Sequence, residues 1–415
     1  MRLTQTLLAF RRGFWFKNIW KNKRKTTVKE MDYRPAMKFL GVEPIDPLEN
    51  ENFFGVKKTK VWIPPDDPRF MFPSRSEDHV DWHQTSAYTC NDQVKLWEGL
   101  PQVQILTNCL IERGLPPDVL TNLDQFSLPG QDHLIQRTIL QAHLWDTTRE
   151  KLPKRKKPDD ISIWNYKTEL GIPESRAAEL LYQGITQRCF QALSITDPYI
   201  VNHLRLIREH QMNTNFVLEK NPIYLACKSL YLLTSDKPLS RFASKEQVLA
   251  TRDRTIDNIW PMTAFVDLEK SHIYKTDGCL GYTSDYSCPH SHTLLLVHSK
   301  DWTMDQRHAN ALVMSYAHCL ESAKYHNATE SLMNEPVCVQ TIHTDGESFG
   351  YTCFQLNAMA NSVTEGASKR YNLAWIDDDL LFNKVLPRRS MLRDTKYRQY
   401  NPNVFRKILG LFSRS

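Results

Sequence analysis

The chain predicts an α+β fold: a helical N-terminal half, then a mixed, largely antiparallel sheet with packed helices, plus extended basic termini. Helical apolar spacing dominates from about residue 92 to 210. From about 213 the period shortens and short apolar runs appear, as buried strands require. The segment "VCVQTIHTDGESFGYTCFQLN" alternates on both sides of Asp345-Gly346, a dipeptide favoured in hairpin turns.

Taken in order, residues 1–30 carry nine Lys/Arg before the first acid, Glu30, with Leu3, Leu7, Phe10, Phe14, Trp15 and Ile19 at helical spacing. A basic, acid-free amphipathic start predicts a mitochondrial transit peptide; the alternative is a retained arm lying on RNA or membrane. Residues 31–90, with Pro35, Pro44, Pro47, Pro64, Pro65, Pro68 and Pro73 among many aromatics, read as an extended arm. Proline fixes φ and removes a donor, which disfavours helix interiors and central strands. Residues 91–212 form the helical region. One helix is expected from Asn91 to the stop at Gly114, a second in "QDHLIQRTILQAHLWDTT", and a third after Pro173. Residues 213–387 form the sheet region. "NFVLEK", "IYLACKSLYLL" and "HTLLLVH" read as strands and "SKEQVLATRDRTIDNIW" as a helix. Ala309, Leu312, Val313, Tyr316, Ala317 and Leu320 make the stripe of another. Residues 388–415 read as a basic tail.

Composition narrows the function classes. With 41% hydrophobic and 24% charged residues over 415 positions, the chain is globular and can bury a sizeable core. No apolar run approaches the roughly 20 residues of a spanning helix. Gly numbers 14 against 26 Trp plus Tyr, which favours packed surfaces over phosphate-cradling loops. Nine scattered cysteines without a CxxC argue against a zinc ribbon or a redox pair and for reduced, mostly buried thiols. The net charge of +6 hides an asymmetry: residues 1–60 hold 14 Lys/Arg against 6 Asp/Glu, and residues 380–415 hold 9 against 1. The middle is acidic. Basic ends on an acidic body suit tails that lie on a polyanion.

Several motifs invite chemistry. Asp377, Asp378 and Asp379 sit where a strand-like run meets a helix-like one. Two carboxylates on one strand face would hold Mg²⁺ near phosphates, but acids also favour a helix's first turn, and the helix start is the preferred reading. Cys288, His290 and His292 alternate and could share a face toward zinc; a structural loop is preferred because no fourth ligand is apparent. His343, Asp345 and Glu347 look catalytic, yet the Asp-Gly turn accounts for them. No GxSxG, HExxH or P-loop occurs. The run "REKLPKRKKPDD" is either a solvated loop or a phosphate-contacting finger.

The segments "LIERGLPPDVL", "AHLWDTTREKLPKR", "DKPLSRFASKEQVLATRDRTIDNIWP", "NEPVCVQTIHTDGESFGYTCFQLN" and "YNLAWIDDDLLF" keep one order. Together they resemble the family shared by animal mitochondrial large-ribosomal-subunit proteins thirty-seven and sixty-five, the latter also described as a programmed-cell-death protein. The resemblance spans roughly residues 69–383. It implies a non-catalytic building block without cofactor or metal, in the mitochondrial matrix. Its implied partners are large-subunit rRNA and neighbouring large-subunit proteins, including the homologous protein sixty-five, with no membrane span. The candidate RNA-binding residues are Lys154, Arg155, Lys156, Lys157, Arg388, Arg389, Arg393, Lys396, Arg398, Arg406 and Lys407. Tyr397, Tyr400 and Phe405 interleave with the last of these and are expected to stack on bases or fill protein grooves. The rival reading is a metal-dependent RNA-processing or nucleotidyl-transfer enzyme using Asp377 and Asp379 with Mg²⁺.

Overall fold

A computed structural model describes residues 39–41, 85–149 except 122, 124, 125 and 147, residue 154, 171–273, 277–326 except 284, 332–359, 370–385 and 396–414. The chain divides into two units, 1–74 and 75–415. Of the first, only the exposed residues 39–41 are described, so the leader and most of the proline-rich arm lie outside the described residues.

The described part of the second unit opens with a strand, so residues 85–90 belong to the sheet rather than to the expected arm. β1 (Thr85–Asn91) is β-branched and aromatic enough to join the sheet, burying Ala87 and Cys90. The single helix expected from Asn91 to Gly114 is also replaced. Asn91 ends the strand, Gly99 (φ 61) and Pro101 start a short α1 (Leu100–Thr107), and Asn108 stops it in the left-handed region. Asn tolerates that conformation because its short polar side chain bonds locally. β2 (Cys109–Arg113) follows directly. Then come α2 (Pro117–Thr121), α3 (Gln131–Leu144) and α4 (Glu174–Thr196), with Pro173 as N-cap. α5 (Pro198–His203) is capped by the Asp197 carboxylate, which accepts from the Tyr199 N–H.

β3 (Leu204–Leu218) and β4 (Asn221–Ser235) form a long hairpin. Its two-residue turn puts Glu219 and Lys220 at φ 50 and 66. That is the mirror-image turn which matches strand twist, here without the usual Asn or Gly. The helix expected after Ser244 shrinks to α6 (Lys245–Ala250), held by a capping box between Ser244 and Gln247. β5 (Glu269–Ile273), β6 (His290–Val297), α7 (Met304–Tyr325), β7 (Leu332–Thr344), β8 (Ser348–Ala358) and β9 (Asn372–Leu380) complete the main sheet. β10 (Asn383–Val385) pairs with β11 (Lys396–Arg398), and α8 (Pro402–Phe412) ends the described chain.

The nine-stranded sheet runs β2-β9-β8-β7-β6-β4-β1-β5, with β3 on the other edge of β4. Five of its pairings are antiparallel and three parallel, the last being β1·β4, β2·β9 and β6·β7. The architecture is α+β. Two cores flank the sheet. One gathers α3, α4 and α8; the other gathers α1 and α7. The stripe expected on α7 is buried, and so is every residue from Gln306 to Ala323. α7 links the parallel β6 and β7, so its start lies at their carboxyl ends. A Thr303–Gln306 capping box fixes that start.

The segment expected as a basic tail ends differently. Val404, Phe405, Ile408, Leu409 and Phe412 recur at helical spacing and are buried. Each contributes roughly 1.5–3 kcal/mol from burial, which outweighs the solvation of two neighbouring cations.

Candidate functional site

The aspartates do not start a helix. β9 continues through them, with Asp377 opposite Tyr351, Asp378 opposite Gly350 and Asp379 opposite Phe349. Sheet pairing with β8 therefore overrides the acids' preference for a helix terminus. Strand alternation sends Asp377 and Asp379 to one face and Asp378 to the other. This is the geometry that would hold a divalent cation, but a cationic side chain fills it. Lys407 of α8 places Nζ 2.6 Å from Asp377 Oδ2 and 2.6 Å from Asp379 Oδ2. The same ammonium lies 5.5 Å from the Tyr351 ring centroid. Burial opposes its charge, yet hydrogen bonds to the two carboxylates hold its pKa above the usual lysine value. Lys407 is thus an internal counter-ion rather than one of the phosphate contacts expected from its sequence.

On the opposite face, the carboxyl ends of β6 and β7 and the start of α7 gather titratable groups. His343 Nε2 and His308 Nδ1 share a hydrogen bond at 3.1 Å, and His308 Nε2 lies 3.7 Å from Asp378. The His298 Nε2 bonds Asn310 Oδ1 at 3.1 Å, and the His298 and His343 rings are 5.2 Å apart. Gly350 is required beneath them: a Cβ there would come 2.2 Å from the His343 ring. Burial pushes the His298 pKa down to about 4 and that of His343 well below its ordinary value. Arg307 pairs with Asp345 at 2.8 Å, and Asp345 Oδ1 accepts from the N–H groups of Glu347 and Ser348. That carboxylate is consumed by the turn, with Gly346 at φ 95, as the Asp-Gly motif implied. Glu347 binds Lys300.

The alternating Cys288, His290 and His292 do not converge. His292 Nε2 donates to the Arg414 carbonyl at 2.7 Å, His290 stacks on His326, and the Cys288 thiol faces the His203 carbonyl. Among the described residues no three His, Cys, Asp or Glu side chains are placed to hold a metal ion. All nine cysteines are free thiols and only Cys279 is exposed.

Of the candidate RNA contacts, Lys154 and Arg398 are exposed. Arg406 is exposed on α8 and borders a cleft of about 430 Å³ with Gln131, Asp132 and His133 at the start of α3. Lys396 lies in β11. Arg155, Lys156, Lys157, Arg388, Arg389 and Arg393 fall outside the described residues. The interleaved aromatics pack within the protein rather than awaiting bases. Phe405 is fully buried, Tyr397 packs edge-on against Phe382, and the Tyr400 hydroxyl donates to Asp132. The spacing of Val404, Phe405, Ile408 and Leu409 was the overlooked signal: it makes this segment a core helix that brings Lys407 to the aspartates. No motif announced the His298–His308–His343 group, whose members are scattered along the sequence.

A family model described as "Mitochondrial 28S ribosomal protein S30 (PDCD9)" matches residues 279–414. Relatives named "Large ribosomal subunit protein mL37" align over most of the chain. The chicken protein is 26% identical over 81% of this chain and 76% of its own length. The mouse protein is 25% identical over 93% and 90%. The cattle protein is 25% identical over 90% and 86%. The two descriptions name different subunits; the mL37 relatives are matched over 76–90% of their own length, whereas the family model covers a third of the chain. The chain is thus similar to mL37 proteins over most of its length and to the PDCD9 family model over its last third.

Proposed function

We propose that this chain is a structural constituent of the mitochondrial large ribosomal subunit, where it supports mitochondrial translation without catalysing a reaction. The observation that carries this is similarity along nearly the whole length to mL37 proteins of several vertebrates. The filled acid pair supports the non-catalytic part. A Mg²⁺ ion would have to displace an ammonium held by two carboxylates, one of them across the sheet from Tyr351. No helix among the described residues is long and apolar enough to cross a membrane.

Its partners are large-subunit rRNA and neighbouring large-subunit proteins, the homologous protein sixty-five among them. The phosphate contacts are assigned to Lys154, Arg155, Lys156 and Lys157 in one segment. Arg388, Arg389, Arg393, Lys396, Arg398 and Arg406 supply the other, because clustered cations release counterions on binding a polyanion. Gradient sedimentation of mitochondrial extract tests the reading: the chain should travel with large-subunit rRNA, and a free pool alone would overturn it. Alanine at 154–157 should weaken incorporation, and unchanged incorporation at low expression would reject that segment.

A further inference from the structure

β10 and β11 form a two-stranded sheet of their own. The register pairs Asn383 with Arg398, Lys384 with Tyr397 and Val385 with Lys396. This ladder is planted on the body at one end. Leu381 and Phe382, just before β10, are buried. The Tyr397 ring packs edge-on against Phe382 with centroids 5.2 Å apart, and the His143 ring of α3 lies 5.0 Å from Tyr397 and 5.6 Å from Phe382. The Asn401 N–H donates to the Leu381 carbonyl at 2.9 Å, and the Tyr400 hydroxyl reaches Asp132 at the start of α3. Both strands are thus fixed at the same end, and residues 386–395 join them at the other.

The pairing gathers cations that the sequence spreads along the chain. Residues 383–398 hold six Lys/Arg against one acid, Asp394. A chain spans at most about 3.5 Å per residue, so positions 388, 389 and 393, each three or four residues from a strand end, cannot lie more than about 14 Å from the ladder. Like charges held this close repel, and a hairpin with three residues in each strand has little pairing of its own to oppose them. A polyanion relieves that repulsion and releases counterions. A protein partner would instead be anchored by an outward aromatic or aliphatic side chain. The aromatic of the ladder, Tyr397, packs on the chain's own core, and the described side chains exposed here, Asn383, Arg398 and Gln399, are polar. We propose that the β10–β11 ladder and the connection it carries lie as one unit on the phosphate backbone of large-subunit rRNA, so that Arg398 engages the same stretch of RNA as Arg388, Arg389 and Arg393. The proposal rests on the ribosomal reading above and adds that these cations make one contact rather than separate ones.

The test is hydroxyl-radical footprinting of rRNA in large subunits purified by sedimentation from mitochondria that contain only the chain under test. Two variants are compared with wild type: Arg398→Gln on the ladder, and the triple Arg388→Gln, Arg389→Gln, Arg393→Gln in the connection. The expected result is that both expose nucleotides of one rRNA helix or loop, the triple the more of them. With the purified full chain, the four substitutions together should keep the melting midpoint. They should also make the dependence of log affinity for large-subunit rRNA on log salt shallower by about three. If a variant fails to assemble, the salt dependence decides. Exposure in separate rRNA helices overturns the single contact, and no exposure by either variant overturns the proposal outright. An unchanged salt slope does the same, and so does a lowered melting midpoint, because the cations would then be serving the fold. Absence of the wild-type chain from the particles would instead overturn the ribosomal reading itself.

Discussion

Toward α8 the sheet answers buried charge with opposite charge: Lys407 bridges Asp377 and Asp379, and α8 is pressed down by Phe405 and its apolar neighbours. Toward α7 it buries imidazoles instead. His298, His308 and His343 crowd the start of the helix, and His298 Nδ1, His308 Nε2 and His343 Nδ1 have no hydrogen-bond partner among the described residues. An ion triad fails when a member is removed; buried imidazoles such as His298 and His343 fail when they gain a proton. One face is therefore vulnerable to substitution and the other to acid.

The largest effect should come from detaching the α8 face. Phe405→Ala removes a fully buried ring and should cost about 3–5 kcal/mol, read as a lower urea midpoint with an unchanged slope. A cost below 1 kcal/mol would mean that α8 is not part of the cooperative core.

Acid should break the other face. His298, His318 and His343 all have pKa values depressed by burial, His298 to about 4. The sign follows from linkage: the unfolded chain takes up protons near pH 6.5 while the folded one does not. The stability is thus fully present above 6.5 and falls as pH drops toward 4. With His292, likewise held down to about 4 by burial, four such groups should remove about 4 kcal/mol between pH 6.5 and 5.5. Asp345 is buried, which alone would raise its pKa, but hydrogen bonds from Ser348 and Glu347 and the Arg307 charge hold it low. Its contribution is fully present above the ordinary carboxylate range and is lost only below it, a separate window. Urea midpoints across pH check this, and His298→Leu should flatten the slope by about a quarter. A flat profile would refute the burial of neutral His298 and His343.

Lys407→Met sharpens the comparison at a smaller scale. Breaking a fully buried pair costs about 3–5 kcal/mol, but the side chains here keep 15% (Lys407), 26% (Asp377) and 20% (Asp379) exposure, so roughly 2 kcal/mol is expected. Adding Asp377→Asn and Asp379→Asn should recover most of it, and a cycle without coupling would show that the triad stabilises nothing.

What the sequence disclosed differs between the same two faces. α7 and the β7–β8 hairpin were legible, because a long apolar stripe and an Asp-Gly turn are local signals that tertiary contacts reinforce. The β3–β4 turn was not announced, since Glu219 and Lys220 are forced into positive φ by the pairing around them. Asp377 to Asp379 were misread as a helix start because their strand character comes from β8, and their counter-ion lies 28 residues beyond Asp379. α8 was hidden behind its own charge: Arg406 and Lys407 suggested a tail, while the five buried residues around them fixed a core helix. Charge counts describe a segment's partners only after its apolar spacing has been read.

Arg398 then separates the two kinds of cation that the sequence treated alike. Unlike Lys407, it is exposed, on the two-stranded β10–β11 ladder. Arg398→Ala should change stability by less than about 0.5 kcal/mol, because surface substitutions away from caps, pairs and cores seldom do more. If it meets a phosphate, the same variant should weaken binding of the purified chain to large-subunit rRNA. It should also make the dependence of log affinity on log salt shallower by about one. Lys407→Met should show the reverse pattern, losing stability with an unchanged salt slope. Equal salt slopes in wild type and Arg398→Ala would remove Arg398 from the RNA-facing set, and a shallower slope in Lys407→Met would mean that its ammonium leaves the aspartates for RNA.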